Sequence, residues 1–268
     1  MLIGTGHSAI VFTQSQFDEY ARISGDDNPI YVDADFAAGT RFGRTVAHGM
    51  LLFSSLQAAL ARRWDGPLRL RSQELVFLAP TFTGDPLLLG FDSDDGTTIN
   101  ESITDSAGIE TTVAIATLGP PDEAPPAGIN IVASDPYRGL AAGMMASRTR
   151  RFTADDVAEF VHLTRDPNPL FAGSAPEVPP GLLAGMETWV LGVDLPGRGT
   201  NWLEQRFAYH HPVPVPADVT CTVTITRVRS EKGLINLATR SVVDDRTVVS
   251  GQALVLATDT ADRPLGPS

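Results

Sequence analysis

Cysteine is almost absent: Cys221 is the only one in 268 residues. No internal disulfide and no cysteine metal cluster can form, which fits a reducing compartment. The five histidines, His7, His48, His162, His210 and His211, show no metal-ligand spacing, so no metal is expected. Nothing in the sequence asks for a cofactor. No apolar run reaches the roughly 20 residues that a membrane-spanning helix needs. A basic segment followed by an apolar one is missing at the N-terminus, so no signal peptide is expected and the reading is a cytoplasmic protein. Basic residues are in deficit, 20 against 32 acidic ones, for a formal net charge of -12. That argues against a nucleic-acid or anionic-membrane partner.

What is present is enough for a real core: 43 % of residues are hydrophobic, and the length allows one large or two medium domains. The chain is organised around Ile23-Ser24-Gly25-Asp26-Asp27-Asn28-Pro29-Ile30-Tyr31-Val32-Asp33. Gly25 can take a positive φ, Asn28 can bond its own backbone, and Pro29 fixes φ and drives Asn28 out of the α region. Such a turn holds Asp26 on a stiff backbone, where a carboxylate can transfer protons. The plain alternative is a helix-to-helix turn with a capping Asp.

Taken in order, residues 1–9 read as frayed or as an edge, and Val11-Phe12-Thr13 as a short β-like lead. Thr13 caps a helix from Gln14 to about Ile23, with Phe17, Tyr20, Ala21 and Ile23 near helical spacing. After the Asp26 turn, Asp35 to Ala38 makes one helical turn, and a loop carries Arg41 and Arg44. Met50 to Leu60 is apolar on nearly every side, the mark of a helix buried all round. The period then changes to two, and Leu68–Leu78, Leu87–Asp92, Thr97–Asp105 and Ile109–Leu118 read as four strands. A buried helix followed by an antiparallel meander is an α+β pattern. Residues 119–149, rich in Pro, Ala and Gly, read as a linker between a unit at 1–118 and a second at 150–258, and 259–268 as a disordered tail.

The second unit repeats the first. Phe152-Thr153 matches Phe12-Thr13, Phe160 matches Tyr20, and Asp166, Asn168, Pro169 and Leu170 match Asp26, Asn28, Pro29 and Ile30, all 140 residues apart. Pro179-Pro180-Gly181-Leu182-Leu183 is paired with Ala47-His48-Gly49-Met50-Leu51. Strand-like runs follow at Trp202–Tyr209, Val219–Val228, Leu234–Val243 and Thr247–Ala257. Two copies of one unit are expected.

At these motifs the chain resembles the MaoC-like (R)-specific enoyl-thioester hydratase / 3-hydroxyacyl-thioester dehydratase family in its double hot-dog form. That family's first motif, Ser-Gly-Asp-x-Asn-Pro-apolar-His-x-Asp, is here Ser24 to Asp33. Its second, an Arg loop entering the central helix through His-Gly, is here Arg44-Thr45-Val46-Ala47-His48-Gly49-Met50-Leu51, and Phe77-Leu78-Ala79-Pro80 with Gly84-Asp85 looks like its strand segment. The resemblance implies two curled antiparallel sheets, each around a central helix. It also implies an acyl-CoA or acyl-carrier-protein substrate, and it allows a homodimer. The acyl carbonyl would meet the Gly49 N–H at the helix N-terminus, where unpaired donors suit a developing enolate oxygen. Asp26 matches the family's acid/base Asp. The family's His, however, is Tyr31 here and Phe171 in the second copy. A phenol with pKa ~10 is a poor base beside an imidazole near 6.5.

The candidate catalytic set is therefore Asp26, Tyr31 and Gly49, with Asn28, His48, Met50 and Arg44 as candidate substrate-binding residues. Each has a plain alternative. Asp26 can be a turn carboxylate, Tyr31 an aromatic filler, Asn28 the holder of the turn and His48 a structural residue before the helix. His210-His211 can supply a base or merely end a strand before Pro212-Val213-Pro214. Arg41, Arg44, Arg148, Arg150 and Arg151 can meet a phosphate or stay solvated. Two functions compete. One is a lyase adding or removing water at an acyl thioester, with isomerisation or cyclisation as variants on the same pocket. The other is a degenerate hot-dog that binds a thioester or supports a catalytic partner.

Overall fold

The computed structural model describes residues 6–120, 128–258 and 260. The first half runs β1 (Gly6–Ile10), α1 (Gln14–Ser24), α2 (Pro29–Val32), α3 (Ala34–Ala38), α4 (Gly49–Ala61), β2 (Leu70–Phe77), β3 (Leu87–Asp92), β4 (Thr98–Asp105) and β5 (Glu110–Leu118). The second runs β6 (Met145–Phe152), α5 (Ala154–Thr164), α6 (Pro180–Trp189), β7 (Asn201–Tyr209), β8 (Ala217–Arg229), β9 (Leu234–Val243) and β10 (Arg246–Leu256). A π-helical segment, Val190–Asp194, extends α6.

Local chemistry sets the helix ends. Thr13 and Gln16 form a reciprocal capping box at the start of α1, and Thr153 and Asp156 form its copy on α5. Gly25 closes α1 in the left-handed region at φ 87°, a conformation that costs glycine nothing. In α4 every residue from Met50 to Ala61 is buried, so this helix fills the centre of the first half. Its large side chains each contribute roughly 1.5–3 kcal/mol by leaving water.

The two half-sheets join edge to edge into one antiparallel sheet of ten strands, in the order β1-β3-β4-β5-β2-β7-β10-β9-β8-β6. The order is palindromic with respect to the repeat, with β1 and β6 at the edges and β2 beside β7 at the seam. Glu74 stands opposite Arg206 in that seam. The pair is 132 residues apart, the same separation as the buried pair Gln73 and Gln205. Equivalent positions that face each other place the pseudo-two-fold axis between them. Their side chains meet at 3.5 Å. Helices α4 and α6 pack together, which brings the motif turn of one half against the helix of the other.

Three expectations need correction. The leading strand lies at Gly6–Ile10, not Val11–Thr13, because pairing with β3 decides it and the latter triplet makes no ladder. The stretch expected as linker to residue 149 ends earlier, since β6 begins at Met145 and pairs with β8. The repeat also slips by one residue at the second helix. His48 and Pro179 are the two N-caps, and each carbonyl accepts from the residues three and four further on. Pro180, rather than Gly181, therefore takes the place of Gly49. The separation is 131 residues here and 132 in the strands beyond. One extra residue in a helix widens a turn into a π-helix, and Val190–Asp194 is where it is absorbed. Residues 121–127, and 259–268 apart from Thr260, lie outside the described residues, so the tail expectation does too.

Candidate active site

The turn behaves as a rigid support. The Asn28 side chain accepts from the Ile30 N–H at 3.4 Å and caps α2, while Asp33 caps α3 by accepting from Asp35 and Phe36. Asp26 is thereby held with only 1 % of its surface exposed. Its carboxylate accepts from the Asn28 N–H at 3.4 Å. The other half supplies the wall. A Cβ on Gly192 would stand 3.3 Å from Asp26 Oδ1, so glycine there leaves the carboxylate its room. Burial pushes the Asp26 carboxyl up to about 7, and the neighbouring Thr188 hydroxyl and Asn28 N–H offset part of that rise. An acid with a pKa near 7 is half ionised at neutral pH, the state that suits proton transfer in both directions.

His48 sits beside it. Its Nε2 lies 3.0 Å from the Asp26 backbone carbonyl, which can only accept, so Nε2 carries the proton. Burial pushes the imidazole down to about 3, so it is neutral, and Nδ1 has no partner among the described residues. Tyr31 lies against this ring with centroids 3.9 Å apart and the planes tilted by 34°, and burial followed by the Asp26 charge raises its phenol. As N-cap of α4, His48 makes no side-chain bond to the first turn; its carbonyl accepts from Leu51 and Leu52, which leaves the Gly49 and Met50 N–H groups available.

Tyr31 and Gly49 line a cleft of about 180 Å³ between the halves. Its walls are mostly apolar, from Ile30, Leu52 and Phe77 on one side to Trp202 and Leu203 on the other. A side chain on Gly49 would strike the Phe77 ring at 2.7 Å. Asp26 and His48 are not in this lining; His48 meets it through the Tyr31 ring, and Asp26 is tied to His48 through its backbone carbonyl. A larger concavity of about 620 Å³ lies on the outer sheet face around Val76, Val113 and Ile115, away from the motif turn and the α4 N-terminus. We place the site in the smaller cleft because those groups converge there.

Not every expected residue comes to the cleft. Met50 is fully buried in the core, because the second position of α4 faces inward. Arg44 pairs with Asp85 at 2.8 Å and lies over the Phe82 ring at 4.0 Å, outside the cleft lining. Asn28 is buried in its own turn. His210 bonds to Ser250 at 2.8 Å on the far half. Arg41, in contrast, lines the cleft beside Phe42. Two residues close to Asp26 are absent from the candidate set. Tyr20 is fully buried within the field of Asp26 and donates to the Gly181 carbonyl at 3.3 Å. The only sequence signal was a tyrosine where the repeat has Phe160. Thr188 comes from a distant helix and gave no signal.

Known proteins agree with this architecture. A profile of the MaoC-like domain matches residues 5–114. An (R)-specific enoyl-CoA hydratase from Aeromonas caviae is 35 % identical over 128 residues, covering 44 % of this chain and 96 % of that protein. A solved MaoC-like dehydratase superposes with a TM-score of 0.73 at 16 % identity, over 95 % of this chain and 98 % of the other. A Mycobacterium tuberculosis protein described as a double hot-dog fold superposes at 0.70 with 15 % identity, over 96 % of both chains. At those identities the two structures speak for the fold alone, and the fold is the double hot-dog. Match to nearly the whole length of the hydratase settles the rest: the chain belongs to the MaoC-like family.

Proposed function

We propose that this chain adds water to an α,β-unsaturated acyl thioester, and removes it from the 3-hydroxyacyl product, at the cleft between Tyr31, Gly49 and Trp202. The observation that carries the reading is Asp26, a buried carboxyl in the motif turn, whose backbone carbonyl is tied at 3.0 Å to His48, the N-cap of α4. The thioester carbonyl accepts from the Gly49 N–H. Ionised Asp26 takes a proton from water as the water oxygen bonds to the β carbon. The electron pair moves to the carbonyl oxygen, where the helix N-terminus stabilises the enolate. Protonated Asp26 then returns a proton to the α carbon, and the carbonyl re-forms.

Asp26 performs both transfers because its neighbours are unsuited. His48 is neutral and held by the Asp26 carbonyl, and the Tyr31 phenol stays protonated at neutral pH. The carrier is coenzyme A or an acyl-carrier protein, with Arg41 as the cation in the cleft lining.

The test is Asp26→Asn beside Asp166→Asn on crotonyl-CoA. Loss of a positioned acid/base should lower kcat by ~10²-fold or more with little change in binding, whereas the second variant should keep its rate. Equal losses in both, or no loss in either, would defeat the assignment.

A further inference from the structure

The cleft has a pseudo-symmetric twin. Around the second helix, Leu170, Phe171, Pro180, Leu183 and Tyr209 line a cavity in the places of Ile30, Tyr31, Gly49, Leu52 and Phe77. Leu68 to Leu70 of the first half cross it as Thr200 to Trp202 cross the first cleft. The twin measures about 50 Å³ against about 180 Å³.

What differs is the wall. In the first cleft Val46 and Asn201 stand at two lining positions. In the second these are Glu177 and Arg69, joined by a bidentate pair at 2.5 and 2.8 Å across the two halves. Two further bonds close the same seam: Asn168 Nδ2 donates to the Leu68 carbonyl at 2.7 Å, and its Oδ1 accepts from the Leu68 N–H at 3.3 Å. Forked guanidinium–carboxylate pairing is directional and strong where partly buried, as here. Behind the pair the walls are mostly apolar, from Leu68, Leu70, Leu170, Phe171 and Leu183, with His211 also in the lining.

We propose that the Arg69–Glu177 pair is a latch that shuts a second acyl-binding cleft, so that the chain takes one thioester. The ligand class rests on the function proposed above. The latch itself rests on the geometry. Pro180 has no N–H to give a carbonyl, so the unlatched twin binds an acyl chain without turning it over.

The experiment writes the first cleft into the second with Arg69→Asn and Glu177→Val together. Calorimetric titration uses butyryl-CoA, which is saturated and inert to hydration. The wild-type chain should bind one equivalent and the double variant two, with the first dissociation constant and the turnover of crotonyl-CoA within twofold of wild type. Two equivalents on the wild type, or one on a variant that still melts cooperatively, overturns the latch. If the double variant does not fold, Glu177→Gln removes the charge at constant shape and is judged by the same count. If the wild type binds no thioester, the proposed function fails, and the latch is then decided with the apolar dye ANS. A gain in dye binding on unlatching supports it, and no gain overturns it.

Discussion

His48 donates from Nε2 to the backbone carbonyl of Asp26 at 3.0 Å, which ties the N-cap of α4 to the proposed acid/base residue. The bond keeps the imidazole in one tautomer. With its pKa lowered to about 3, chiefly by burial, the ring does not titrate between pH 5 and 9. The kcat/KM for hydration should therefore show one ionisation near pH 7, from Asp26, rising as the carboxylate forms and level above it. Initial rates from pH 5 to 9 check this. A second inflection at the usual histidine pKa would place another base in the site.

Tyr31 occupies the position where the family resemblance puts a histidine, against the His48 ring and in the cleft lining. An imidazole there offers a basic nitrogen at neutral pH, whereas a phenol is a poor base. Tyr31→His should raise crotonyl-CoA hydration by ~10²-fold, the lower end of the usual acid/base contribution. Tyr31→Phe should leave kcat within a few-fold, since the ring keeps its contact with His48. No gain from histidine, with butyryl-CoA binding intact, would mean that Asp26 alone sets the rate.

Stability should fall as pH rises towards 7. Asp26, Glu101 and Glu187 are each raised to about 7, first by burial. A carboxyl whose folded pKa lies above its unfolded value holds its proton more tightly in the native state. Its destabilising effect begins near pH 4, grows through the folded pKa, and is complete above it. His48, lowered to about 3, acts oppositely: below pH 6.5 the unfolded chain takes up a proton that the native chain does not. Three carboxyls outweigh one imidazole between pH 4.5 and 6.5. The melting temperature should be higher at pH 5.5 than at pH 8, and Glu101→Gln with Glu187→Gln should flatten the slope. A profile that rises from 5.5 to 8 would contradict the burial of these acids.

Arg165 closes α5 in the left-handed region at φ 54°, the conformation that Gly25 takes at the end of α1. A side chain there costs roughly 1–2 kcal/mol, and glycine's extra freedom in the unfolded chain returns part of it. Arg165→Gly should stabilise the protein by about 1 kcal/mol. The bond from Arg62 survives because it ends on the Arg165 carbonyl. Denaturant melts of the two proteins measure the difference.

By itself the sequence determined the repeat, the buried central helix, the strands other than the edge strands β1 and β6, and the turn that holds Asp26. These are local properties: hydrophobic period, capping residues and turn chemistry act over a few positions, so they survive without tertiary contacts. His48 is an instance of the boundary. Its place before the helix was legible, whereas its bond to the Asp26 carbonyl joins residues 22 apart. Tertiary structure alone decided what depends on the two halves meeting. It seated Thr188 and Gly192 against the Asp26 carboxylate and buried Met50, which the motif had suggested for substrate. It paired Arg44 with Asp85, and it set Pro180 rather than Gly181 at the second helix's first turn. That last slip shows the reason most plainly. A one-residue shift changes no local pattern strongly, and only the hydrogen bonds that the Pro179 carbonyl accepts and the compensating π-turn fix which residue faces the cleft.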